Sequence, residues 1–174
     1  MLYSQLTKGN WLVGGDGSFN RQKTFRDNNI FNVNDFRLIS TDLATYTFKL
    51  NPNIGYFFLN KIVIGAKFEL SISKTENKDI KIKDSQLNSG VFARYYFLKQ
   101  DNRVNLFVEP SMSFYTYIFL PKTTFYNMKI GTVIFFNETA GFEVALSYQN
   151  AYNNLGYTSN ILLNLGFQIH LSKN

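Results

Sequence analysis

Apolar and polar residues alternate along most of this chain, and the alternation is clearest in its last segment. Every odd position from Ile161 to Leu171 is apolar, whereas the even positions are small or polar except for Leu162. Successive side chains of a strand leave opposite faces, so a period of two predicts a β-strand. The same pattern predicts seven further strands, at residues 10–19, 45–57, 62–72, 90–98, 105–114, 127–136 and 141–149.

The predicted connections between these strands alternate in length. Tight turns are predicted at 58–61, 100–103 and 137–140, long loops at 20–41 and 74–88, and intermediate loops at 115–126 and 150–158. Short turns at one end and longer loops at the other are typical of an up-and-down barrel inserted from one side of a membrane. About ten residues at ~3.3 Å each, tilted by ~40°, also match an apolar band of roughly 25 Å. The sequence therefore predicts an all-β fold, an eight-stranded antiparallel up-and-down transmembrane β-barrel, as a single domain over 1–174.

Composition agrees with a surface that does not wholly face water. Charged residues make up 17% of the chain and aromatic residues also 17%, whereas soluble proteins average about 25% charged residues. The absence of cysteine excludes disulfides and thiolate metal sites. No apolar run is long enough for a transmembrane helix. The N-terminus lacks the basic and apolar regions of a signal peptide, so we expect a mature chain from which that peptide has been removed.

The face of each predicted strand opposite the apolar one, which we call the minority face, indicates which side of the barrel wall points outward. It consists mainly of Gly, Ser, Asn and Thr with isolated charges, whereas the outside of a soluble barrel would be rich in Lys and Glu. An isolated charge inside a narrow lumen is costly, so such groups must be paired there. We therefore predict a lipid-facing apolar wall and a balanced lumen charge network, formed by Asp16, Lys49, Lys67, Glu69, Arg94, Glu109, Lys129 and Glu143.

Two local features of the strands can also be predicted. If residues 100–103 form a four-residue hairpin loop, Arg94 faces Glu109 on the minority face, which predicts an inward salt bridge. Pro52 and Pro110 fall within predicted strands, where proline cannot donate a ladder hydrogen bond. We therefore predict a β-bulge at each proline.

Aromatic residues gather near the predicted strand ends. One group, towards the longer loops, includes Tyr126, Tyr148 and Tyr152. Two aromatic girdles at the membrane interfaces would place them in this way. The group by the tight turns consists of Trp11, Tyr56, Phe57, Phe58, Phe97, Phe135 and Phe136.

Several segments carry a resemblance to a known family. They are "GNWLVGG" (9–15), "NPNIGYFFLNKIVIGAKFELS" (51–71), "ARYYF" (93–97), "LFVEPS" (106–111), "GFEVALSYQ" (141–149) and the final "LGFQIHL". Together they resemble the outer-membrane β-barrel domain family common in Bacteroidetes-type bacteria. That family is similar to the small eight-stranded barrels of the outer-membrane protein A and X type. The resemblance spans nearly the whole chain and implies a porin-like protein in the outer membrane of a Gram-negative bacterium.

Candidate chemistry is sparse. His170 is the only histidine, and with Ser172 it resembles the His-x-Ser pair of lipid A deacylase barrels, in which a base activates a serine nucleophile. However, His170 is predicted at the tight-turn end, far from the outer leaflet where that chemistry belongs. A single histidine also precludes a His-rich metal site. We predict no enzymatic activity, no metal and no cofactor.

The formal net charge of +6 comes partly from the longer loops. Those loops also carry acidic residues, so one interpretation is simply a solvated surface. The functional hypothesis is attraction to the phosphates of lipopolysaccharide. A nucleic-acid-binding module is not recognisable. The candidate lipopolysaccharide-contacting loop residues are Arg21, Lys23, Arg26, Lys78, Lys81 and Lys83.

These observations predict a small bacterial outer-membrane protein with a structural or cell-surface interaction role. An eight-stranded barrel is just wide enough to be filled by its own side chains, so we expect no open pore. We expect a monomer in contact with membrane lipid and lipopolysaccharide, and no protein partner is predicted. The alternative is a soluble lipocalin-like barrel that binds a small apolar ligand, because "GNW" at 9–11 is similar to the Gly-x-Trp of lipocalins.

Overall fold

The chain forms a closed barrel of eight antiparallel strands in sequence order. The computed structural model describes residues 6–27, 40–76, 81–100, 102–115, 123–153 and 156–172. Each strand pairs with its neighbours along the chain, and β1 pairs with β8 to close the barrel. The predicted fold class is thereby confirmed. The strands are β1 (Trp11–Asp27), β2 (Ser40–Leu59), β3 (Ile62–Glu76), β4 (Lys81–Tyr96), β5 (Val104–Tyr115), β6 (Thr123–Phe135), β7 (Ala140–Asn153) and β8 (Gly156–Leu171).

The strands are longer than predicted at the end of the barrel opposite the tight turns. Strands extend into both long loops predicted from the sequence: β1 and β2 occupy 20–27 and 40–41, and β3 and β4 occupy 74–76 and 81–88. In this region polar residues occur on both faces, and apolar residues such as Ile82 and Leu87 do not alternate regularly with them, so apolar alternation no longer marks the strand. Cross-strand hydroxyl contacts replace it, as between Thr45 Oγ1 and Thr75 Oγ1 at 3.1 Å. Among the described residues, no helix is long and apolar enough to cross a membrane.

The two prolines do not produce the predicted bulges. The β1–β2 register runs unchanged through the pairing of Gly15 with Pro52, and the β5–β6 register through that of Pro110 with Met128. A proline lacks only its own amide hydrogen, so the ladder can lose one bond and continue in register. The bulge prediction was therefore wrong. A shift of register occurs instead at 57–59, beside the tight turn between β2 and β3.

Side chains divide sharply between the two faces of the barrel. The outer wall exposes large apolar side chains on every strand, whereas most fully buried positions lie inside. Near the tight turns Trp11 packs edge-on against Tyr56, with ring centroids 5.2 Å apart on the outside. Phe57 and Phe135, which were predicted in this girdle, are instead buried inside the barrel. Because successive side chains of a strand point to opposite faces, these two rings point inward while the residues next to them point outward.

Two glycines in the barrel wall allow an aromatic ring in the lumen to pack closely against the backbone. Gly55 and Gly65 are partners on β2 and β3. A Cβ on Gly65 would overlap the carbonyl oxygen of Ile54 and lie 2.7 Å from the ring of Phe92. The missing side chains therefore make room for the Phe92 ring in the lumen.

Candidate functional site in the barrel lumen

A buried ion network occupies the middle of the lumen. Arg94 on β4 donates from Nε to Glu109 Oε2 at 2.7 Å, and its Nη2 lies 2.5 Å from the same oxygen. Its Nη1 lies 2.9 Å from Glu143 Oε2 on β7. This contact is the Arg94–Glu109 pair that the hairpin register predicts. The contact with Glu143 extends the network across the barrel.

Two lysines complete this central network. Lys129 on β6 lies 3.4 Å from Glu143 Oε1 and 3.6 Å from Glu109 Oε1, and it also bonds to Asp16 on β1. Lys67 Nζ lies 3.3 Å from Glu109 Oε1. Because Lys129 and Asp16 lie on strands that do not pair, their contact spans the lumen rather than following its wall.

A second ion pair lies in the lumen, closer to the end of the barrel opposite the tight turns. Lys49 Nζ is 3.0 Å from Glu69 Oε1 and donates to Gln149 Oε1 at 2.7 Å. Gln149 Nε2 in turn donates to Glu69 Oε2 at 3.1 Å. All eight charged residues singled out in the sequence therefore lie inside the barrel and take part in ion pairs.

Neutral polar side chains that the sequence analysis did not single out complete the network. Gln168 Nε2 donates to Glu143 Oε2 at 2.6 Å, and Tyr96 Oη donates to Gln168 Oε1 at 2.7 Å. Asn51 Nδ2 donates to Asp16 Oδ1 at 2.7 Å. The sequence indicates these residues only through their position, because they alternate in step with the charged residues and therefore face inward.

An aromatic cluster closes the lumen at the tight-turn end. Phe57 stacks on Tyr96 with ring centroids 6.1 Å apart, and Phe135 meets His170 edge-on at 5.3 Å. The Phe107 ring packs against Tyr96 at 6.0 Å. Among the described residues, these packed rings occupy the lumen at this end of the barrel.

A segment ahead of β1 lies over this cluster. Leu6 is fully buried, and its carbonyl accepts hydrogen bonds from Lys61 N at 2.8 Å and Gln100 Nε2 at 3.0 Å. Gly9 N donates to Phe57 O at 3.0 Å. These contacts fix the segment across the end of the barrel. Sequence alone does not predict this segment, because a single leucine outside the strands shows no periodic pattern.

The histidine lies in the aromatic cluster. His170 is buried among the rings of the aromatic cluster, and its Nε2 lies 3.1 Å from Gln168 Oε1. Ser172 lies exposed just beyond the end of β8. Within the described part of the chain, no group of three or more His, Cys, Asp or Glu side chains could hold a metal ion.

Comparison with known proteins identifies the fold. No protein-family model and no curated protein matches the chain. The outer membrane protein OprG of Pseudomonas aeruginosa is similar in structure, with a TM-score of 0.63 and 12% identity over 99% of this chain and 100% of that one. The chain has the fold of small outer-membrane β-barrels. Neisserial surface protein A is also similar, with a TM-score of 0.55 and 12% identity over 93% of this chain and 97% of that one.

The outer wall of the barrel is apolar. Exposed apolar side chains occur at successive outward positions, such as Leu163, Leu165 and Phe167 on β8. The charged side chains lie in the lumen instead. A lipocalin-like barrel with an apolar ligand site would need the reverse arrangement, so the faces argue against that alternative.

The predicted lipopolysaccharide-contacting residues lie on strands rather than in loops, wherever the structure describes them. Arg21 on β1 is exposed and its guanidinium lies 5.4 Å from the centroid of the Tyr46 ring, while Lys81 and Lys83 are exposed on β4. Lys23 and Arg26 also belong to β1, but their side chains lie outside the described residues. Lys78 lies outside them altogether. The loop assignment was therefore wrong because the strands continue past the apolar wall.

Proposed function

We propose that this protein resides in the bacterial outer membrane as one domain and has a structural or cell-surface interaction role without conducting solutes. The observation that carries the proposal is the network around Arg94, which links strands on opposite sides of the lumen above a packed aromatic cluster. A hydrated solute could pass only if several buried ion pairs separated at once, and separating one buried pair is costly. The proposal includes a monomer and no catalytic role for His170 or Ser172.

Conductance across a planar lipid bilayer tests this proposal. The folded protein is expected to leave the conductance at its baseline, because the lumen lacks a continuous water path. A porin inserted under the same conditions serves as the positive control, and heat-modifiable gel migration verifies that the sample is folded. Stepwise conductance that scales with the amount of inserted protein would contradict the closed lumen.

We also propose that basic side chains at the outer end contact lipopolysaccharide phosphates. The proposal covers Arg21, Lys23, Arg26, Lys78, Lys81 and Lys83. It is supported by the β3–β4 pairing, in which Lys74 faces Lys83 and both are exposed directly beyond the apolar Ile72. Lys74 already pairs with Glu76, and the facing Lys83 adds a second positive charge that a bound phosphate would neutralise.

Removing two of these charges should weaken binding of fluorescent lipopolysaccharide several-fold at low salt. The test variant combines Lys81→Gln with Lys83→Gln, and the protein is held in neutral-lipid vesicles. The matched control combines Lys99→Gln with Arg103→Gln, which removes the same charge from exposed positions at the tight-turn end. Equal binding by the two variants would reject a local phosphate contact, since net charge would then be the cause.

A further inference from the structure

The end of the lumen away from the tight turns contains a cavity with polar walls, which we call the polar well. Its volume is about 100 Å³. A cavity needs only ~10–15 Å³ to hold one water molecule, so the well has space for several waters or for one small solute. Seven polar side chains and the apolar Leu162 line the well, and the polar ones include Ser18, Asn20, Gln22, Lys49, Gln149 and Asn160.

The floor of the polar well is electrically neutral and internally satisfied. Lys49 is paired with Glu69 at 3.0 Å, and Gln149 bonds to both partners. An anion would have to compete with Glu69 for Lys49, and a cation would have to compete with Lys49 for Glu69. The floor therefore favours an uncharged occupant.

The wall of the well offers hydrogen-bonding groups to such an occupant. Ser18 is only 6% exposed, and its Oγ has no hydrogen-bond partner among the residues that the structure describes. A buried polar atom left without a partner is costly, so a molecule in the well is expected to complete it. Asn160, across the β1–β8 seam, adds an amide that can both donate and accept.

Exposure increases along the wall towards the outer end. On β1 the successive inward positions Ser18, Asn20 and Gln22 are buried, half-buried and exposed in turn. Below the floor lie the central ion network and the aromatic cluster. Among the described residues, the well is thus open at one end and closed at the other, which is the geometry of a binding site rather than of a channel.

We propose that the polar well binds a small uncharged solute rich in hydroxyl or amide groups, of the size of one sugar residue. Amide and hydroxyl side chains can donate to and accept from such groups without burying a net charge. The inference rests on the closed lumen proposed above, because a closed floor retains a solute that an open pore would pass.

Three probes that share one ring test the charge and size of the ligand. Glucose, glucosamine and glucuronate are titrated against the folded protein in detergent micelles, with saturation-transfer difference NMR as the readout. Saturable binding of glucose in the millimolar range is expected, with at least tenfold weaker binding of the two charged sugars. Saturation by none of the probes would mean that only water occupies the well and would overturn the proposal, and preference for a charged sugar would overturn the ligand class.

Variants locate the binding in the well. Ser18→Leu fills it and should abolish glucose binding, whereas the matched Ser85→Leu, on the outer face of β4 opposite Ile72, should leave it unchanged. If Ser18→Leu does not fold, Ser18→Ala removes only the unpartnered hydroxyl and should weaken binding several-fold. Full binding by a folded Ser18 variant would overturn the site.

Conductance of the same preparation separates this inference from the proposed function. A non-conducting barrel that binds none of the sugars overturns the well alone. A conducting barrel overturns the closed lumen and, with it, the basis of this inference.

Discussion

Replacing Arg94 with methionine will lower the free energy of unfolding of the barrel by about 3–5 kcal/mol, the usual cost of removing one partner of a buried ion pair. Methionine keeps much of the side-chain length but removes the charge. Glu109 and Glu143 are both buried and both paired with Arg94, so the variant leaves carboxylates short of a partner. Urea unfolding in lipid vesicles, followed by gel migration of unboiled samples, measures the effect.

Two further variants make this result interpretable. Arg103→Met makes the same change at an exposed position beside a tight turn and should shift stability by no more than about 0.5 kcal/mol. The double variant Arg94→Met with Glu109→Gln removes one of the unpaired charges, so its loss should be smaller than the sum of the single losses. Equal stability of the Arg94→Met and Arg103→Met proteins would mean that the network does not contribute to the fold.

Placing arginine at Leu165 will cost about 2–4 kcal/mol in a bilayer, because a charge near the midplane of a barrel's lipid face has no water. Leu165 lies outward in the middle of the apolar run of β8 and is 50% exposed in the absence of lipid. Unfolding in vesicles is compared between this variant and the unmodified protein.

The matched control lies on the same strand and the same face. Ile161, at 74% exposure, is the last apolar outward residue of β8 before polar residues begin. Arginine at this position should cost only about 0–1 kcal/mol, because it reaches the interface. If both substitutions were harmless, the outer wall would face water and the membrane assignment would be wrong.

The sequence was sufficient where side-chain alternation alone decides the structure. A period of two placed Leu165 outside and Arg94 inside, since each strand has one apolar and one polar face. A tight turn then gave the partner of Arg94 on the next strand, because register in a hairpin follows from loop length. These local relations were sufficient to predict the fold class and the Arg94–Glu109 pair.

The remaining features depend on information that alternation does not contain. The contact of Arg94 with Glu143 joins residues 49 positions apart, and it depends on how the closed barrel is sheared. The outer ends of the strands were missed because polar residues occur on both faces there and the apolar ones do not alternate regularly with them. Leu6 covers the aromatic cluster through backbone hydrogen bonds, and nothing in its own sequence context predicts them.

Quenching of tryptophan fluorescence by brominated lipids tests the orientation of the faces most directly. Trp11 is the only tryptophan of the chain and lies on the outer wall at 46% exposure, whereas the adjacent Leu12 is fully buried inside. Bromine near the lipid headgroups is expected to quench Trp11 strongly. The variant Trp11→Phe with Tyr96→Trp, which moves the fluorophore into the lumen, is expected to be quenched little. Emission of Trp11 that is the same in brominated and ordinary lipid would contradict an apolar wall in contact with the membrane.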